Sequence, residues 1–386
     1  MGERSYSPDY LGKLVETATR VKSFAQAAVL IQVWSGQTVS SRNLGRIVEE
    51  VGDEFVRQRD AAVDDFTHHR RHAEGVDPQH ELAAVFVDGG RVQTREAPSG
   101  PGVHGEAWKE DKIARLQTMS ASQHASDPCP EPLACFLGPI LAPASKTPGN
   151  PAVAEPDSAA DPSPRWQPEP RVRTGMATMR PLEDFRWMVQ AEAKRRHFFT
   201  AKKRAFIADG AHGNWTLHAR HFPDFVPILD FVHAAEYLHA AAKVLETPTR
   251  GRVWVRDLWQ GRAADAIAQL RVALDAKGHG LETLDETHAD FALQRAWTYL
   301  SNHADKLDYP RYRREGLPMM SSLMESQVKE FNARVKGSEK FWHVAHAEAV
   351  LQLIAETLRE DGPTLSDRIN SRPVSPFRRN TPTLAA

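Results

Sequence analysis

LAAVFVDGG (residues 82–90) and RAFIADGA (residues 204–211) decide the fold. Each is a short, β-prone apolar run that ends in an Asp-Gly pair. Each is therefore expected to be a buried strand that delivers one carboxylate, Asp88 or Asp209, to a turn at its C-terminal end. Open α/β sheets place their sites at that end. Asp-Gly pairs mark turns far more often than active sites, so neither run is telling by itself. A third acid changes the weighing. In SSLMESQVKEFNARVKG (residues 321–337), Met324, Val328, Phe331 and Val335 recur at helical spacing and form a packed stripe. Glu325, Lys329, Asn332 and Lys336 fall on a neighbouring face, one carboxylate followed by two cations and an amide.

Three separated carboxylates suit divalent-metal chemistry on phosphate. Mg²⁺ is hard, prefers oxygen ligands and demands near-octahedral geometry, so a polynucleotide site offers a few acids and leaves the rest of the shell to water and phosphate. Two such ions roughly 3.5–4 Å apart activate an attacking oxygen and stabilise a leaving one.

These blocks carry a resemblance. IADGAHGNWTLHARHFPDFVPILDFVHAAEYLH (residues 207–239), with a D-x-x-H signature at Asp230 and His233, resembles the second catalytic block of bacterial Mutator-like insertion-sequence transposases. VFVDGGRVQTRE (85–96) resembles their first block. MESQVKEFNARVKGSEKFW (324–342) resembles their third, a Glu followed by K-x-x-N-x-R-x-K-G and a Trp, although the GLPMMSSLMES lead-in replaces the family's Gly-rich turn. The similarity runs from about residue 80 to about residue 345. It implies an α/β fold with an RNase H-like catalytic core, a mixed sheet in β-β-β-α-β order, interrupted by an all-helical insertion before the final Glu. It makes Asp88, Asp209 and Glu325 a DDE triad for two Mg²⁺ ions, with Mn²⁺ as a substitute. Lys329, Asn332, Arg334 and Lys336 would hold the DNA backbone. The partners implied are double-stranded DNA, both transposon ends and target, and further copies of the chain in a dimer or larger assembly. The compartment implied is the bacterial cytoplasm, at the nucleoid. The function implied is transposition; a nuclease or resolvase without strand transfer, and a retired DNA-binding descendant, stay open beside it.

Along the chain, residues 1–75 are helical in pattern. SFAQAAVLIQVWSGQTVSSRNLGRIVEEVGDEF (23–55) holds an apolar helix, a break at Ser35-Gly36 and a second helix capped by Ser40 or Ser41. It is either a helix-turn-helix presenting Arg42 and Arg46 to a DNA groove or a dimerising hairpin, the latter favoured by Glu49, Glu50, Asp53 and Glu54. His68, His69 and His72 line an exposed helix. In residues 80–120, RVQTRE and KIARLQTM are expected as the second and third strands after the Asp88 strand. Residues 121–170 are Pro-, Ala- and Ser-rich, a segment that a compact core does not need. Residues 171–245 continue the core with a helix at RPLEDFRWMVQAEAKRRHFF and the Asp209 strand, which would lie beside the Asp88 strand. Asp230 is read as an N-cap with His233 in the first turn, a supporting pair that orients the core or touches DNA. Residues 246–310 form the helical insertion, where Trp297 either packs in the core or stacks on an unpaired base; Trp342 has the same two readings. Residues 311–362 complete the core, and 363–386 are a flexible basic tail.

Composition sets outer limits. The chain has 386 residues, 41% of them hydrophobic, enough for two or three domains with a real core. No apolar run approaches the ~20 residues of a membrane span, since PLACFLGPILAPA is short and broken by Pro. No secretory signal opens the chain. Cys129 and Cys135 are the only cysteines, which excludes a disulfide framework and a four-Cys zinc site. The net charge of −1 requires any DNA contact to come from local patches such as Lys194–Arg196, Lys202–Arg204, Arg311–Arg314 and the Arg372, Arg378 and Arg379 tail.

Overall fold

A computed structural model describes residues 6–70, 79–95, 106–138, 166–337 and 340–371. Five strands form one mixed sheet in the order β3-β2-β1-β4-β5. β1 (Leu82–Arg95) and β2 (Glu106–Met119) pair antiparallel along their whole length, from Leu82 opposite Met119 to Arg95 opposite Glu106. β3 (Pro170–Thr178) pairs antiparallel with β2. β4 (Lys203–Ala208) runs parallel to β1, and β5 (Val226–Leu229) runs parallel to β4.

Two strand expectations are corrected. RVQTRE is not a second strand but the continuation of β1, because the β2 ladder carries the chain straight through Gly89 and Gly90, which face Lys112 and Asp111. KIARLQTM accordingly belongs to the second strand. The third is RVRTGMAT, beyond the Pro-rich segment. Gly90 is needed where it stands: a Cβ there would lie 2.7 Å from both Asp111 Oδ1 and Lys336 Nζ.

Alternation along the strands sends side chains to two helical layers. Val85, Val87, Phe206 and Ala208 pack with Phe185 and Val189 of α5 (Leu182–Arg195) and Leu217 of α6 (His212–His221). Ala84, Phe86, Ile207 and Ile228 face the opposite layer. That layer includes α7 (Phe231–Val244), α12 (Ser322–Val335) and α13 (Val344–Thr357). Residues 246–310 carry α8 (Pro248–Trp259), α9 (Ala263–Ala276) and α10 (Phe291–Asn302), and α11 (Tyr309–Glu315) follows.

The N-terminal helices α1 (Pro8–Arg20), α2 (Phe24–Ser35) and α3 (Ser41–Thr67) are built into this core. Gly36 ends α2 in the left-handed region at φ 69°, and Ser40 caps α3 by accepting from the Asn43 amide. In α3, Arg59 reaches Glu348 of α13 at 2.8 Å, with both side chains less than a tenth exposed. Arg42 is exposed, whereas Arg46 is committed to Glu50 at 2.6 Å. α3 ends at Thr67, so His68 caps it and His69 follows in the left-handed region at φ 54° instead of lining the helix; His72 lies outside the described residues. At the other terminus α14 (Leu365–Ser371) buries Leu365 and Ile369, and its Ser366 bonds Glu16 of α1, so the tail is docked at least to residue 371. Arg372, Arg378 and Arg379 lie outside the described residues.

Part of the Pro-rich segment is likewise packed, and it holds the one-turn helix α4 (Ala134–Leu137). Asp127 holds Arg313 through two bonds of 2.7 and 2.5 Å, and the Cys129 carbonyl accepts from Trp259 Nε1 at 2.7 Å; residues 139–165 lie outside the described residues. No described helix is long and apolar enough to cross a membrane.

A close joint between N-terminal helices and core is Gly52, where an added Cβ would sit 2.7 Å from the Ala349 carbonyl oxygen. Backbone cannot yield cheaply, so Gly52→Ala is expected to cost about 1–3 kcal/mol in urea unfolding. A loss below the error of the fit would show that α3 and α13 can part freely.

Candidate functional site

The parallel strands set out a row of acids. Val87 pairs with Ala208 and Ala208 with Leu229, so the next residues of β1, β4 and β5 are Asp88, Asp209 and Asp230 in register. Neighbouring strands lie about 4.8 Å apart, and in-register side chains share a face. Here that face carries α7 and α12. Asp88 is not at a strand end, since β1 continues to Arg95; it stands where the parallel partner stops.

The three acids are held differently. Asp88 accepts from the Gly89 amide at 2.7 Å. Its carboxyl is pushed above the usual range first by burial and then by the charge of Asp209, against the pull of Gly89 and His233. Asp209 accepts through Oδ1 from the Ala211 amide at 3.0 Å and Asn214 Nδ2 at 2.8 Å, which fixes its plane. Asp230 is fully buried. Its Oδ1 caps α7 at the Val232 amide, 2.7 Å, while Oδ2 accepts from the Ser321 amide at 2.8 Å. Ser321 directly precedes α12, so Asp230 ties the end of β5 to the start of the helix that carries Glu325. The N-cap expected from D-x-x-H is present, and the tie to α12 is added to it.

His233 lies 3.6 Å from Asp230 Oδ2, an ion-pair distance. Burial alone would depress the imidazole, but contact with Asp230 and the fields of Asp88 and Asp209 outweigh it and raise His233 to about 9. At neutral pH it is the cation of the cluster. A raised basic group stabilises the fold fully below its ordinary value of 6.5 and loses that contribution as pH climbs through the folded value. Metal-free protein is therefore expected to lose stability between about pH 6.5 and 9, and His233→Gln to flatten that slope. An identical slope in the variant would assign it elsewhere.

Glu325 stands apart. In the first turn of α12 its side chain is 42% exposed and 3.8 Å from Lys329. It faces Glu236 of α7, whose carboxyl is raised by burial, lowered by His233 and raised again by Glu325. Asp88, Asp209 and Glu325 do not bring three ligand oxygens within 4.8 Å of one another. Asp88 and Asp209 set hard oxygens on adjacent strands, the donor type that divalent cations prefer, and the charge of Asp209 raises the Asp88 carboxyl.

The insertion reaches this centre through Tyr299 and His303, which helical periodicity marks only as packing residues. Tyr299 of α10 lies against Gly210, so closely that a Cβ there would overlap its ring. His303 Nε2 contacts the Gly210 carbonyl at 3.2 Å. Tyr299 stacks on Tyr237 at 4.0 Å, and its buried hydroxyl has no hydrogen-bond partner among the described residues. Burial and the charge of Asp209 push its ionisation upward, so it remains a neutral donor. The only prior signal was the i, i+4 pair Tyr299 and His303.

Several expected DNA contacts serve the fold instead. Trp297 packs beside α9, with Arg271 5.0 Å over its ring. Trp342 is 9% exposed and donates to the Val335 carbonyl at 2.8 Å. Its backbone bonds Gln93 and Arg95 of β1, which fixes this residue against the sheet. Arg334 is 3% exposed, donates to the Ala18 carbonyl and lies 4.1 Å over Phe24; burial lowers it to about 10. Lys336 turns inward over Gly90 toward the buried Asp111. Arg195, Arg196 and Arg313 are also spent inside, on Glu192, the Leu116 carbonyl and Asp127. Lys329 is exposed, and Asn332 is half-buried.

No known family model matches the chain, and no curated protein matches it. Among solved structures, the Drosophila P element transposase strand transfer complex is similar at a TM-score of 0.36 and 11% identity, over 93% of this chain and 94% of that one. A likeness of that degree carries no argument about chemistry.

Proposed function

We propose that this chain is a DNA transposase of the DDE type with an RNase H-like core. The observation that carries the reading is the in-register row of Asp88, Asp209 and Asp230 where the parallel ladder ends, with an acid-bearing helix tied to it through Asp230. Asp88 and Asp209 would hold divalent cations, Mg²⁺ by the hardness of the donors, with Mn²⁺ as a substitute. Bound there, the ions would lower the pKa of water and offset charge on phosphate. Glu325 would complete the set once its half-exposed side chain turns from Lys329 toward the pair.

The remaining steps fall to the chain. Asp209, pinned by Asn214 and Ala211, keeps one orientation throughout. His233, held as a cation beside Asp230, offsets part of the acids' charge while no metal is bound. Tyr299 closes the Gly210 side and offers a hydroxyl hydrogen to a phosphate oxygen. In the first step water attacks phosphorus at the element's end and the P–O3′ bond breaks, leaving a 3′-hydroxyl. In the second that hydroxyl attacks a target phosphodiester, and the displaced target 3′-oxygen leaves with the proton. The DNA-facing surface would use Lys329 and Arg42 in place of the buried cations.

A labelled transposon end with target duplex tests the reading. Glu325→Gln is expected to abolish cleavage and joining with the unfolding temperature unchanged, as its carboxylate is half in solvent. Cleavage without joined product assigns a nuclease. Specific binding without either assigns a DNA-binding protein with a silent site.

A further inference from the structure

A second cluster lies in the insertion, in the connection between α9 and α10. His279, His288 and Asp290 each offer a ligand atom, and the three atoms lie within 4.8 Å of one another. We propose that they form a transition-metal site of the Zn²⁺ class that ties this connection to the start of α10.

Two of the donors are assembled already. His279 Nε2 lies 2.8 Å from Asp290 Oδ2, and both side chains are nearly buried, at 14% and 12% exposure. Each is braced from behind. The His279 amide donates to the Leu274 carbonyl at 3.1 Å, while Lys277 Nζ takes the other oxygen of Asp290 at 2.5 Å. Lys277 thus orients the carboxylate with Oδ2 toward the imidazole, as outer partners of metal-binding carboxylates do. His288 is exposed and stands edge-on to His279, ring centres 5.1 Å apart at 86°.

The donor set selects the ion. Two imidazoles and one carboxylate suit Zn²⁺ and its borderline neighbours, whereas Mg²⁺ and Ca²⁺ prefer oxygen alone. Metal bonds of about 2.0–2.1 Å in a tetrahedron separate ligand atoms by roughly 3.3 Å. His279 and Asp290 therefore spread slightly, and His288 closes in. His288 Nδ1 now accepts from the Asp290 amide at 3.0 Å. That bond is lost on metal binding through either nitrogen, because a ring bound at Nε2 carries its proton on Nδ1. Water supplies the fourth ligand. Glu282 and Asp285 add negative field at His279 and His288, and the Lys277 ammonium opposes it.

The consequence is mechanical. Asp290 begins the helix whose other end carries Tyr299 and His303 onto Gly210. A metal at the first turn would fasten the far end of that helix. This assignment is independent of the transposase reading, since none of its ligands belongs to the acid row.

The test uses the full chain stripped with chelator and held in millimolar Mg²⁺ to compete for all-oxygen sites. Co²⁺ is titrated while the visible d–d absorption of a tetrahedral ion is followed, and Zn²⁺ is titrated by calorimetry. One equivalent is expected to bind, with the Asp290 amide resonance shifting. His288→Gln, at an exposed position that leaves the fold intact, and Asp290→Asn are each expected to weaken binding by about tenfold or more. Asp209→Ala should bind as the parent does. Undiminished binding in both ligand variants, or no saturable binding in the parent, overturns the assignment.

Discussion

Asp88→Ala and Asp209→Ala proteins are expected to fold as the parent does and to lose metal-dependent DNA cleavage by about 10⁴-fold, the scale of removing one member of a catalytic unit. The stability half of this result follows from charge. Asp88 is raised by burial and by Asp209, so removing either acid relieves a cost that the folded chain carries without metal. That relief is set against the His233 charge that each acid helps hold and, at Asp209, the lost bonds from Ala211 and Asn214, so the metal-free unfolding temperature should change little. A second readout separates the metal from the chemistry: Mg²⁺ is expected to raise the parent's unfolding temperature and to leave both variants where they were, because only a ligand that binds the folded state shifts the equilibrium. Cleavage at the parent's rate in either variant removes that acid from the site. An intact Mg²⁺ shift in both moves the ion elsewhere.

Asp230→Ala is expected to lower the unfolding free energy by about 2–4 kcal/mol, from a lost N-cap and a buried amide left unpaired at Ser321. The carboxylate is fully buried and joins β5, α7 and the start of α12. Asp230→Asn is the sharper variant. It keeps one acceptor oxygen, so either α7 loses its cap or an amide NH₂ faces the Ser321 N–H. The imidazole supplies an independent measure: without Asp230 the His233 titration should fall from about 9 toward its ordinary 6.5, readable by proton NMR at the ring. Cleavage should fall as well, since α12 would lose the tie that aims Glu325. A stability change under about 0.5 kcal/mol, the level of an ordinary surface substitution, would show that the tie bears no weight.

Legibility in the sequence followed periodicity. The apolar runs ending at Asp88 and Asp209, the helix carrying Glu325 and the helical insertion are local patterns, set by which residues can cover a strand or one face of a helix. Asp230 was readable as a cap because a cap is a contact between neighbours in sequence. The errors fall where distant pairing overrode a local signal. Gly89-Gly90 looked like a turn, yet β2 supplied a continuous ladder and carried the strand to Arg95. RVRTGMAT had no marked alternation and became β3 because β2 needed a partner.

Charge was misread for the same reason. Arg334, Lys336, Arg313 and Trp342 resemble nucleic-acid contacts in a linear string, and burial gave them carbonyls, carboxylates and aromatic rings instead. The chain by itself determined which residues are able to bind a cation and which segments deliver them. Tertiary structure decided that Asp88, Asp209 and Asp230 stand in one row, that Tyr299 lies against Gly210 beside Asp209, and that Glu325 stops short. Chemical type is a property of each residue alone, while adjacency across the sheet depends on register and burial, which no single segment contains.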